Sequence, residues 1–345
     1  MHVVTFGEIM LRLSPPGYRR ITQAQQFGVT YGGAEANVAA SLAHFGLDAH
    51  VVTKLPANPV GDACLGHLRR YGVQTPHVVR GGPRLGLYYL ESGASQRPST
   101  VTYDRAHSAF TTLTPDEVDW DVVFADASWF HWTGITPALG EAPRRSLRAA
   151  LEAAQHAGVP VSCDLNYRAK LWTPGEARDV MPPLMDFVDV CMANPSATGT
   201  CLGVAVDGID NGSRDEATVA QLMHRLRDAY GFDTVTMTLR ESFSASEHGW
   251  SAMLLGGSVG GTTPLTAPQR STRYTIQLVD RVGGGDSFAA GLIYGLLTKD
   301  HATDALAFAT AASCLKHTIP GDINLSTVDE VDALMRSDGP GRVQR

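Results

Sequence analysis

Short apolar runs alternate along this chain with stretches in which apolar side chains recur every three or four positions. The runs include Val3–Phe6, Val122–Phe124, Val159–Cys163, Val188–Met192 and Val235–Leu239. Runs this short, bounded by polar residues, predict buried strands. The stretches between them predict helices with legible ends. Val38, Leu42 and Phe45 share one helical face, and Gly46 stands where a glycine closes the last turn. Arg144–Ala157 stops at Gly158, and Val219–Tyr230 stops at Gly231. Thr327 and Glu330 form a capping box ahead of Val331, Leu334 and Met335. This alternation predicts an α/β fold with a mainly parallel central sheet covered on both faces.

Two stretches, residues 9–31 and 84–110, break the rhythm. The second reads GLYYLES, a polar turn with Gly93 and Pro98, then TVTYDR, which predicts a hairpin. Two readings are open. Either both stretches are surface hairpins, or they form a small sheet inserted into the body as a lid. On the second reading, residues 1–345 form one domain whose lid comes from 9–31 and 84–110.

Composition narrows the function. The chain has 345 residues, 43% of them hydrophobic, enough for a large core. Net charge is −7, and no stripe of Lys and Arg marks a nucleic-acid surface. No basic segment precedes an apolar leader, and no apolar stretch is long enough to cross a bilayer, which predicts a cytoplasmic protein with no membrane partner. Cys64, Cys163, Cys191, Cys201 and Cys314 include no C-x-x-C pair, so neither a disulfide framework nor a zinc–cysteine site is suggested. The 12 histidines show no H-E-x-x-H or other ligand spacing. An anionic ligand on so acidic a chain needs cations placed locally.

The segment richest in chemistry is QLVDRVGGGDSFAAGLIYGLL, Gln277–Leu297. A strand is expected to end near Asp280. Gly283, Gly284 and Gly285 follow, and from Asp286 onward Phe288, Leu292 and Leu296 keep helical spacing. Glycines running into a helix start aim several backbone N–H groups at one point, and the helix terminus adds about half an elementary charge. Such a cradle suits a phosphoryl group in flight. Asp286 at its mouth is either a general base for an attacking hydroxyl or a helix N-cap.

DRVGGGD resembles the C-terminal signature of the ribokinase-like (PfkB) carbohydrate kinases, D-x-V-G-A-G-D. A second signature of that family, with paired glycines near residue 35, is matched by YGGAEANVA at Tyr31–Ala39, about 250 residues upstream. The resemblance spans nearly the whole chain and implies a three-layer ribokinase-like sandwich that uses ATP and Mg²⁺. Finer features resemble the 2-keto-3-deoxygluconate kinases within that family: GGAEAN, the Tyr103-x-Arg105 pair, Asn166-Tyr167-Arg168, and KHTIPGD at Lys316–Asp322. By that resemblance Gly33, Asn37, Tyr88, Tyr103, Arg105 and Arg168 hold a small sugar-acid substrate, and Asn166 lies near the ATP phosphates. Tyr88 and Tyr89 alternate in a strand, so one of them faces the pocket, and the resemblance selects Tyr88. Physical chemistry agrees with an acid: Arg105 and Arg168 can donate charge-assisted bonds to a carboxylate, unless each is spent on a salt bridge. Asp322 faces the pocket or closes a turn.

The match also departs from its pattern. Gly284 replaces the usual alanine at some entropic cost, and Arg281 meets a nucleotide phosphate or faces solvent. The family's N-x-x-E, whose glutamate helps organise Mg²⁺, reads Asn194-Pro195-Ser196-Ala197, so the metal ligands stay unassigned. A glycine-bearing nucleotide loop reads RESFSAS at Arg240–Ser246, leaving Asn194 and Arg240 as the expected nucleotide contacts beside Asn166. Rival readings are a kinase for fructose, ribose or another sugar acid, and a non-catalytic sugar-acid-binding regulator descended from a kinase. Gly256–Gly260 matches the G-x-S-x-G of hydrolases, but Pro264 and Pro268 forbid the helix that must follow. His131 and Trp132 read as packing. An exposed lid sheet invites a homodimer.

Overall fold

The computed structural model describes residues 1–208 and 215–336. Its strands, in chain order, are β1 His2–Phe6, β2 Met10–Ser14, β3 Gly28–Gly32, β4 Asp48–Leu55, β5 Val78–Arg80, β6 Gly86–Glu91 and β7 Thr100–Asp104. There follow β8 Ala127–Thr133, β9 Val161–Asp164, β10 Val190–Ala193, β11 Thr234–Ser242, β12 Glu247–Gly256, β13 Leu265–Arg270 and β14 Tyr274–Gln277. A ten-stranded sheet runs β13-β12-β11-β10-β9-β8-β1-β4-β5, with β14 also on β12. From β5 through β11 all neighbours are parallel, and only the pairs made by β12 are antiparallel. A separate sheet, β3-β2-β6-β7, takes two strands from each stretch that broke the helical rhythm.

Side chains that alternate along a strand feed different layers. Val3 and Val51 pack into the core formed with the helices Ala34–His44 and Gly284–Thr298, while Val4 and Val52 pack into the core formed with the helix Glu141–His156. Helices therefore cover both faces of a mainly parallel sheet. The small sheet turns Met10, Tyr88 and Leu90 inward, with Tyr103 and Val282 against them.

The helix ends lie where local chemistry places them. Gly46, Gly158 and Gly231 have φ of 86°, 68° and 72°, the left-handed turn that closes a helix. Thr327 and Glu330 make their reciprocal bonds. One expected strand is a helix instead. Asp119 caps Trp120–Phe124 by accepting from the Val122 N–H at 3.2 Å, and Val122 points to solvent while Trp120, Val123 and Phe124 are buried. That is helical, not alternating, burial, and the strand itself starts at Ala127. Only the three-residue 3-10 turn Val259–Gly261 follows the serine of GGSVG, not the α-helix a nucleophile elbow needs. Ser258 donates to the Asp233 carboxylate in a turn, which removes the hydrolase geometry.

Candidate active site

The parallel strands end together, and a cleft of about 670 Å³ opens there, as open α/β sheets arrange their ligands. Glu8 follows β1 into its wall, Asp164 ends β9 and Asn166 follows it, Asn194 follows β10, and Arg240 comes from β11. The small sheet supplies the opposite wall with Met10, Tyr88 and Tyr103. Every candidate residue lines this one cavity: Gly33, Asn37, Tyr88, Tyr103, Arg105, Asn166, Arg168, Asn194, Arg240, Gly283, Gly284, Gly285, Asp286 and Asp322. Tyr89 instead packs on Phe27, 5.8 Å between ring centres.

The glycine loop runs from β14 through Asp280 into the helix Gly284–Thr298. Gly283 is the N-cap, with φ 79°, and no side chain caps the helix. Asp286 is thus the third residue of the helix and not its cap, and the first-turn N–H groups stay open to a ligand. Beneath the loop lies the fully buried Lys316, whose Nζ donates to the carbonyls of Asp280 and Ile319 at 3.2 and 3.3 Å. Its charge adds to the positive helix end. The glycine at position 284 has a steric cause: a Cβ there would lie 2.4 Å from the His317 ring. That ring is held by the Ser313 carbonyl at 2.6 Å and packs on Trp250.

Asp286 Oδ2 accepts a bond from Asn37 Nδ2 at 2.7 Å, and the Asn37 Oδ1 meets the Gly33 N–H at 3.5 Å. No cation pairs with Asp286 among the described residues. Burial pushes its carboxyl up to about 7, with Asp164 adding and Asn37 and Arg168 pulling back. Asp164 is pushed up by burial to about 6. Its Oδ1 accepts from the Asn166 N–H at 3.0 Å, which steadies Asn166 at φ 37°. Burial likewise takes Glu35 up to about 7, and Glu35 ties its helix to Thr133 and Thr136 through Oε1.

The arginines divide into two groups. On the lid side, Arg12 bonds Asp322, and its Nη2 meets Asp280 at 2.6 Å. Burial alone would lower this guanidinium, and the two carboxylates raise it. Tyr88 donates its hydroxyl to Asp322 as well, so Tyr88 and Asp322 face the cavity already engaged with each other. Asp280 also accepts from the Val282 and Gly321 N–H groups at 3.0 and 3.1 Å, which binds the glycine loop into the same network. Arg105 pairs with the buried Glu8 through Nε at 2.8 Å and through Nη2. Its Nη1 makes no bond among the described residues. On the body side, Arg168, Arg240 and Arg281 have no salt bridge among the described residues. Loss of water in the cleft, then repulsion from Arg281 and Arg168, lowers Arg240 to about 10. Desolvation lowers Arg281 too. Asn194 caps the helix Pro195–Leu202, its Oδ1 accepting from the Ala197 N–H at 3.1 Å, and its amide nitrogen has no partner among the described residues.

Arg12, Glu8, Asp280, Asp164, Glu35 and Lys316 were not foreseen as parts of this site. Arg12 had a signal: it sits two residues from Met10 on a strand, on the same face as an inward apolar side chain. Chemically, the cleft offers an open amide cradle, a carboxyl poised near neutrality and unpaired cations.

Comparison with known proteins agrees with that chemistry. A model described as pfkB family carbohydrate kinase matches residues 1–328. A 2-dehydro-3-deoxygalactonokinase of Haloferax volcanii is 36% identical over 339 residues, covering 98% of each chain. A 2-dehydro-3-deoxygluconokinase of Bacillus subtilis is 29% identical over 326 residues, 94% of this chain and 92% of its own. The crystal structure of a 2-dehydro-3-deoxygluconokinase from Thermotoga maritima superposes with a TM-score of 0.92 and 52% identity, covering 98% of this chain and 100% of that one.

Proposed function

The chain belongs to the pfkB family of carbohydrate kinases, which transfer phosphate to a sugar hydroxyl, and on that premise we propose that it phosphorylates 2-keto-3-deoxygluconate at the 6-hydroxyl with Asp286 as general base. The observation that carries this reading is an unpaired carboxyl, raised to about 7, at the mouth of an uncapped helix start. The sugar-acid hydroxyl gives its proton to Asp286 as its oxygen bonds to the γ-phosphorus. The bridging P–O bond breaks and ADP departs. Amides of Gly283, Gly284 and Gly285 stabilise the charge on the transferring group. Tyr103, Arg168 and the spare Nη1 of Arg105 take the carboxylate end, with Gly33 and Asn37 under the sugar and the small sheet as the lid.

The nucleotide fits the unpaired cations. Arg240, Arg281 and the amides of Asn166 and Asn194 would meet the phosphates of ATP. Mg²⁺ bound with those phosphates would neutralise charge that builds as the bond breaks. Ala197 stands where the family pattern has its glutamate, and Asp164, which lines the cleft beside Asn166, would be the carboxylate to hold the ion.

Kinetics on a substrate panel test the proposal. The highest kcat/KM is expected with 2-keto-3-deoxygluconate, coupled to ADP release. The name of the Haloferax relative favours one second reading, the C4 epimer 2-keto-3-deoxygalactonate, and a preference for it would move the assignment there. A preference for fructose or ribose, or binding without ADP formation, would overturn it. Val29, 62% exposed on the edge strand β3, supports a homodimer through the lid, and a monomer by light scattering would remove that part.

A further inference from the structure

At the ends of β1 and β4 remote from the cleft, three side chains converge on one face of the sheet. His2 opens β1, and its register partner on β4 is Asp48. His50 lies two residues beyond Asp48 and so shares its face. One ligand atom from each of the three lies within 4.8 Å of the others. The His2 and His50 rings are 4.0 Å apart between centres, and the His77 ring is 5.6 Å from that of His50. His50 Nε2 meets Asp48 Oδ1 at 3.2 Å. Two nitrogens, His2 Nε2 and His50 Nδ1, are buried without a hydrogen-bond partner among the described residues. Buried polar atoms are normally satisfied, so each such orphan points to a missing partner. His50 Nε2 and the Asp48 carboxylate already face each other at 3.2 Å, so the two can share one cation in place of their hydrogen bond.

We propose that His2, Asp48 and His50 bind a zinc-class divalent cation that clips the first strand to its neighbour, with His77 the next imidazole within reach. Two imidazoles and one carboxylate suit Zn²⁺, Co²⁺ or Ni²⁺, whereas Mg²⁺ takes oxygen ligands. Zinc bonds of about 2.0–2.1 Å require the three side chains to close in by small rotations. At about 3.3 Å per residue, His2 is roughly 13 Å along β1 from Phe6, so the cation would brace the strand that leads to Glu8 without touching the reacting groups. The ligands come from two strands that are neighbours only in space, which is why their spacing along the chain matches no motif.

The test uses the full chain stripped with a chelator and free of nucleotide, titrated with ZnCl₂ and separately with CoCl₂. One saturable ion per chain is expected, with the visible absorption of a low-coordinate cobalt site and a Tm raised by about 2–4 °C with zinc. His2→Gln, at the half-buried start of its strand, and His50→Gln should each weaken binding by at least about tenfold and leave sugar-kinase turnover unchanged. No saturable binding, undiminished binding in both variants, or an equal Tm shift with MgCl₂ would each overturn the proposal.

Discussion

The two walls of the cleft use the same residue type in opposite electrostatic states. On the lid side Arg12 and Arg105 are matched by Asp280, Asp322 and Glu8, all nearly withdrawn from solvent. On the body side Arg168, Arg240 and Arg281 have no carboxylate within salt-bridge reach among the described residues. A matched guanidinium has little net charge to offer an anion, and its work is to fix the sheet against the glycine loop. An unmatched one keeps its charge for a ligand. A chain with net charge −7 therefore gains an anion site by leaving the arginines of one wall out of salt bridges, not by carrying excess cations.

The sharpest way to break the comparison is at Asp286, the carboxylate on the body side that no cation neutralises. Asp286→Asn keeps an oxygen for the Asn37 amide and removes the base. We expect kcat to fall by roughly 100- to 10,000-fold with substrate KM little changed. In the parent enzyme kcat/KM should drop about tenfold per pH unit below pH ~7, where burial holds this carboxyl protonated. Steady-state kinetics across pH checks both, and a variant with near-parental turnover would end the assignment.

Asp286 and candidates on both walls stand out in the sequence, while the ion pairs that set the two walls apart do not. The glycine loop and the 33–37 segment announce themselves because their chemistry is local: an amide cradle needs consecutive residues. The helix ends at Gly46, Gly158 and Gly231 are local in the same way. Arg12 and Asp322 are 310 residues apart, and nothing near Arg12 in the chain indicates an acid waiting for it. The Glu8–Arg105 pair spans 97 residues. Arg105 and Arg168 therefore looked alike in the sequence, with the salt-bridge alternative open for both, and only the fold separates them. Val122–Phe124 was misread for the converse reason: an apolar triplet fits either period, and one capping side chain, Asp119, decides it.

The matched wall predicts a stability phenotype instead. Arg12→Ala leaves Asp322 and Asp280 buried without their cation, and breaking such a pair costs about 3–5 kcal/mol. Urea unfolding at pH 7 should register that loss. A change below about 0.5 kcal/mol would mean that the network does not hold the small sheet. The unmatched wall should behave in reverse. Arg281→Ala or Arg240→Ala removes no folded-state partner, so unfolding should shift by no more than about 0.5 kcal/mol. Each should raise KM for ATP by about tenfold or more, the worth of one charge-assisted bond of about 1.5–3 kcal/mol. Arg168→Ala should raise KM for the sugar acid more than Arg105→Ala does, since Arg105 has only one nitrogen to spare.

The smallest expected effect concerns the cost of leaving Asp286 unmatched. A carboxyl raised to about 7 in the fold and near 4 when unfolded makes the native state hold more protons than the unfolded chain between those values. Stability from this group is therefore fully present below pH ~4 and is lost as pH rises through about 7. Glu35 and Asp164, raised to about 7 and about 6, act in the same direction. Buried His131, His248 and His317, lowered to about 3, 4 and 4, act in the opposite one, since they favour the fold more as pH rises toward 6.5. The whole-protein curve mixes these contributions, so the informative quantity is a difference. Asp286→Asn and the parent should differ least in Tm near pH 4, where the parent's side chain is neutral in the fold and only begins to ionise in the unfolded chain. At pH 8 the variant should melt higher by at least about 2 °C, because only the parent must then bury a charge. A Tm difference that stays flat between pH 4 and pH 8 would mean that Asp286 ionises as readily in the fold as in water, and its poise as a base would fail with it.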